Sequence, residues 1–161
     1  MAAPRPAPEL QAIAWINSDP LTLASLRGKV ILLHAFQLHC PACVQLATPQ
    51  AQRVHELFSG RDVAVVGIHT VFERHADADR AALEAYVREH RYTFSIAVDT
   101  PDGKGGIPLT MKAYRLDGTP TAVLLDRAGR VRMKRLGHMP DLELGAALGA
   151  LLQEHSPGRA P

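Results

Sequence analysis

This 161-residue chain has only two cysteines, one tryptophan and four phenylalanines. Cys40 and Cys43 stand too close together for a structural disulfide framework, and a zinc knuckle would want a second pair. Covalent c-type haem needs histidine directly after the second cysteine, where Val44 stands. No stretch approaches the roughly 20 apolar residues of a membrane span, and MAAPRPAPEL has prolines in place of a signal peptide's apolar centre. A cytoplasmic location is therefore expected, or a periplasmic one if a leader has been removed. Charge of one sign is scarce too: the formal net charge is +2 with no long basic block, so neither nucleic acid nor an anionic membrane is expected as partner.

What is there suits one compact domain: 47% of residues are hydrophobic and 21% charged. Lys29–Phe58, KVILLHAFQLHCPACVQLATPQAQRVHELF, organises the rest: an apolar run, a Cys-Pro-Ala-Cys turn, then a helical pattern. With Cys40 at the N-cap, Pro41 takes the first helical position, where its missing N–H removes nothing the helix needs. The amides of Ala42 and Cys43 then point back at the Cys40 sulfur, and the helix N-terminus favours its thiolate. Cys40 is thus expected to attack. Cys43, one turn in and more covered, is expected to resolve the mixed disulfide.

Along the chain, residues 1–9 read as a flexible N-terminal tail, 10–154 as the domain and 155–161 as a C-terminal tail. Ala12–Ile16 and Leu21–Leu23 read as short strands, and Val30–Phe36 as a central strand covered on both faces. The next helix, from Pro41 to about Phe58, has Val44, Leu46, Ala47, Val54, Leu57 and Phe58 at mostly helical spacing; Pro49 inside it should cause a kink. Val63–His69 is a second buried strand, Asp79–His90 a helix and Ser95–Val98 a strand, followed by the Gly-rich stretch Asp99–Pro108. Thr110–Tyr114 reads as a short helix, Thr121–Leu125 and Arg130–Leu136 as a hairpin, and Asp141–Leu152 as a closing helix with Leu142 and Leu144 among its inward residues. An α/β domain follows, with a central mixed β-sheet and helices on both faces.

That order, with Cys-Pro-Ala-Cys after the first long strand and Gly118-Thr119-Pro120-Thr121 before the hairpin, resembles the thioredoxin-like superfamily, and within it the redoxin domains of the TlpA/ResA type and those attached to NHL-repeat and DipZ-type proteins. LRGKVILL, VVGIHTVFE and YRLDGTPTAVLLDRAGRV carry the similarity beyond the cysteines. The resemblance implies a thioredoxin-like fold and a thiol–disulfide oxidoreductase that uses the Cys40–Cys43 pair with no further cofactor and no metal. It implies a cis Pro120 whose loop lies beside Cys40, Thr119 offering backbone groups to an incoming chain, and Pro41 bordering the same site. Expected partners are protein or small-molecule disulfides and an upstream dithiol donor, with the chain acting as a monomer.

The departures from that pattern matter. His39 precedes the first cysteine where an aromatic or a cysteine is usual, and His34 takes the place of thioredoxin's buried acid. Protonated His39 would lower the Cys40 pKa, and neutral His34 could accept the Cys43 proton, against the plainer readings of a rim imidazole and a bonded core histidine. His69 closes its strand at the end of the sheet expected to bear Cys40, and His138 follows the last strand, both read as structural ahead of a place in the site. Glu73 and Arg74, in the loop after His69, read as a solvated charged loop ahead of a border of the site. Trp15 reads as core. A peroxiredoxin-type peroxidase would want threonine where Gln37 stands. A Cu(I)- or Zn(II)-binding module would need Cys40 and Cys43 joined by His34, His39 or His138.

Overall fold

A computed structural model describes residues 3–59, 61–73 and 79–154. The sheet has six strands, β1 (Ala12–Ile16), β2 (Val30–Phe36), β3 (Val63–His69), β4 (Ser95–Asp99), β5 (Thr121–Leu125) and β6 (Val131–Leu136), in the spatial order β1-β4-β3-β2-β5-β6. β2, β3 and β4 run parallel, while β1, β5 and β6 pair antiparallel with their neighbours. All seven residues of β2 and all seven of β3 are buried, which is why both read as near-continuous apolar runs rather than alternating ones.

Alternate residues of β2 face opposite cores. Val30, Leu32 and Phe36 pack with the helices α1 (Thr48–Phe58), α2 (Arg80–Glu89) and α4 (Asp141–Gln153), through Ala51, Leu83, Val87, Leu144 and Leu148. Ile31, Leu33 and Ala35 face the short helix α3 (Leu109–Ala113) and a 3₁₀ turn at Ala24–Leu26, with Trp15 partly buried at the edge. The sheet is mixed, helices lie on both faces, and β2 is central.

Four expectations are corrected. Leu21–Leu23 is not a strand, because Thr22 and Ser25 bond each other's backbone and side chain and the chain turns into the 3₁₀ segment. Part of the stretch expected to be a free tail is tied down: Ala7 N–H donates to Gly129 O at 2.9 Å, Val131 N–H to Arg5 O at 2.9 Å, and the Tyr114 hydroxyl to Pro8 O at 2.6 Å. The expected tail at 155–161 lies outside the described residues. Leu142 points outward and is 90% exposed, one position off the stripe formed by Leu144, Leu148 and Leu151.

The fourth correction concerns the helix after Cys43. Pro49 has no N–H for a regular helix, and the turns before it, Cys43–Ala47, take the wider π pattern, with Thr48 N–H donating to Cys43 O. Ala47, Val54 and Phe58, expected inward, do pack on the core along with Ala51, whereas Leu46 and Leu57, also expected inward, are exposed, and Gln50 and Gln52 are buried. Both glutamines are bonded: Gln50 donates to Met139 O and Asp141 Oδ1, and Gln52 exchanges two bonds with Thr93.

Candidate functional site

β2 ends at Phe36, and Gln37-Leu38-His39 delivers Cys40 to the start of a helix whose first turn is closed by Val44 N–H donating to Cys40 O at 3.0 Å. Pro41 and Ala42 are helical. Cys40 and Cys43 form a disulfide, their Cα atoms 5.1 Å apart. The Cys43 amide donates to Cys40 Sγ at 3.2 Å, so one of the two amides expected to face that sulfur does so. Cys43 is fully buried in the core beneath, whereas Cys40 is half-buried at the surface. The helix start thus offers one sulfur to solvent and shields the other.

Cys40, His39 and Pro41 line a groove of about 730 Å³, and Thr119 and Pro120 line it as well. The Thr119–Pro120 peptide is cis. Three hydrogen bonds fix this loop. Gly137 N–H donates to Pro120 O at 2.8 Å, the Thr121 hydroxyl to Gly118 O at 2.7 Å, and Gln37 Nε2 to Thr119 Oγ1 at 3.0 Å. Sequence reasoning missed Gln37, weighing it only as a missing threonine; the available signal was a polar residue directly after the apolar run VILLHAF.

The histidines separate. His39 is exposed on the groove's rim. His34 is buried, with Nε2 2.8 Å from Thr48 Oγ1 and its ring stacked 5.1 Å from that of Phe36; burial pushes its pKa down to about 3. His69 lies beyond Phe36, 5.4 Å from that ring, and burial pushes it down to about 4; its Nε2 has no hydrogen-bond partner. Together they make a row, His34, Phe36 and His69, on one face of the sheet. His69 lines a second cavity, of about 300 Å³, with Asp99 and Pro108 of the Gly-rich stretch, and not the Cys40 groove.

His138 is half-buried with Nδ1 unbonded, and Glu73 borders the Cys40 groove. Arg74 lies outside the described residues. No group of three or more His, Cys, Asp or Glu that could hold a metal ion occurs among the described residues. No helix among them is long and apolar enough to cross a membrane.

Known proteins fit this geometry. A crystal structure of a thioredoxin-like superfamily protein superposes with a TM-score of 0.91 at 47% identity, covering 96% of this chain and all 100% of that one. A thiol-disulfide isomerase from Corynebacterium glutamicum superposes with a TM-score of 0.89 at 43% identity, covering 93% and 97% of the two chains. The DipZ protein of Mycobacterium bovis is 28% identical over 160 residues, which are 94% of this chain but only 21% of DipZ. Fold, neighbours and a disulfide of Cys-x-x-Cys spacing support a thiol–disulfide oxidoreductase. Residues 5–151 match the Redoxin family model, and the chain belongs to the Redoxin family.

Proposed function

We propose that the chain exchanges disulfides with other proteins, with Cys40 as the attacking and Cys43 as the resolving residue. The observation that carries this reading is the asymmetry of the pair: Cys40 opens on a groove and accepts the Cys43 amide, while Cys43 is sealed in the core. In the reducing direction the Cys40 thiolate attacks one sulfur of a partner disulfide; an S–S bond forms between the chains and one partner thiolate leaves. Cys43, losing its proton, then attacks Cys40 Sγ, and the second partner thiolate departs. Two electrons have moved to the partner, and the Cys40–Cys43 disulfide remains, to be reduced by an upstream dithiol.

Thr119 and Pro120 line the same groove as Cys40, so an incoming chain aligns its sulfur against them, with Pro41 bordering the approach. His39, next to Cys40 and exposed, favours the thiolate when protonated. Of the two parts weighed for His34, the bonded core histidine is the one its hydrogen bond to Thr48 supports. Buried and bonded to Thr48, it steadies the π turn carrying Cys43. A reduction potential of roughly −270 to −120 mV brackets both possible directions.

A peroxidase is less well supported, because the Gln37 amide is engaged by Thr119 and no arginine lines the groove among the described residues. Insulin-disulfide reduction tests the proposal: turnover is expected with wild type and lost in Cys40→Ser. A wild-type protein without turnover and without a reversible Cys40–Cys43 disulfide would overturn it.

A further inference from the structure

The groove beside Cys40 has a charge the chain as a whole does not. The net charge is +2, yet the ionisable residues lining this groove, besides His39 and Cys40, are Glu73 and Asp117, both exposed, and no lysine or arginine joins them among the described residues. Neither carboxylate meets a hydrogen-bond or ion-pair partner there. Of the cations on β6, Lys134 donates to Arg115 O at 2.8 Å and Arg135 bonds Glu143 at 2.9 Å. The same groove has two apolar surfaces, Phe72 and the 54% exposed Leu136. No backbone–backbone hydrogen bond engages Thr119 within the described residues, which leaves its amide and carbonyl for an extended chain.

We infer that the preferred partner is a polypeptide whose reactive cysteine is flanked by lysine or arginine and carries an apolar residue nearby. The inference rests on Cys40 being the exchanging sulfur and adds what that sulfur selects. Glu73 and Asp117 attract the flanking cations and repel acidic flanks, Phe72 and Leu136 cover the apolar residue, and the Thr119 backbone pairs with the peptide. Groups of this kind act chiefly on encounter and on wrong partners, so they set which disulfide is met rather than how fast sulfur attacks sulfur.

The test uses short peptides closed by one disulfide and differing only in whether Lys, Gln or Glu flanks the cysteine. At low salt the Lys peptide is expected to be reduced with kcat/KM about 5-fold above the Gln peptide, and the Glu peptide to lag, as exposed charge pairs allow. The Lys-to-Glu ratio should fall toward one in the Glu73→Gln, Asp117→Asn double variant, and in wild type at about 0.5 M salt. A wild-type ratio near one at low salt overturns the inference while leaving exchange intact; so does a ratio that survives both the variant and salt. No reduction of any peptide, the Gln peptide included, brings down the exchange chemistry and this inference with it.

Discussion

Gln37 and Thr119 are joined by a 3.0 Å hydrogen bond that ties the segment before Cys40 to the loop before Pro120. The two walls of the groove therefore hold each other through one amide and one hydroxyl.

Gln37→Ala should loosen the far wall without touching sulfur. A net hydrogen bond of about 0.5–1.5 kcal/mol corresponds to roughly 2- to 12-fold. The loss is expected in kcat/KM for peptide disulfides, mainly through KM. Alkylation of Cys40 by a small reagent, which does not use the Thr119 wall, should keep its wild-type rate; a parallel loss in both would show that the residue supports the helix start instead.

Acid sensitivity follows from the two buried imidazoles. The unfolded chain protonates them as pH falls through about 6.5, whereas the folded chain does so only near 3 for His34 and near 4 for His69. Between those values the unfolded state binds more protons, so stability drops as pH falls, by on the order of 2 kcal/mol per histidine at pH 5. Denaturant midpoints at pH 7 and pH 5 measure it, and replacing both with Gln should flatten the difference. An unchanged slope would mean that other groups carry the acid sensitivity.

Gly67 lies beside His34 in the sheet, and a Cβ there would come within 2.8 Å of Phe94 Cε2 and 3.2 Å of Phe36 Cε1. Gly67→Ala should cost about 1–3 kcal/mol by overpacking. Thermal unfolding of the oxidised protein checks it, and a change within error would show that the aromatic rings yield freely.

Much of this was legible in advance where one local rule acted alone. Val30–Phe36 and Val63–His69 read as buried strands because β-branched and apolar residues dominate both faces, and the helix expected over Asp79–His90 starts where the Asp79 carboxylate accepts from the Ala81 amide at 2.9 Å. The inward face of α1 was legible in part: Val54 and Phe58 pack on the core as expected, but Leu57 is exposed and Gln50 and Gln52 are buried, because their partners Met139, Asp141 and Thr93 come from distant parts of the chain. The binding of residues 5–8 was hidden as well, since Pro6 and its neighbours bond to the β5–β6 turn, a contact between distant parts of the chain. At the site, Cys40 and Cys43 stood out by type and spacing. Gln37 did not, because its role depends on a partner at position 119 that only the folded sheet brings near.

Trapping decides most directly between the two sulfurs. Reduced Cys43→Ser protein mixed with a disulfide-closed peptide should accumulate a covalent adduct at Cys40, seen by mass spectrometry and released by dithiol, while Cys40→Ser should give none because Cys43 is sealed in the core. An adduct through Cys43 in the Cys40→Ser protein, or none at Cys40 in the Cys43→Ser protein, would contradict the assignment of attack to Cys40.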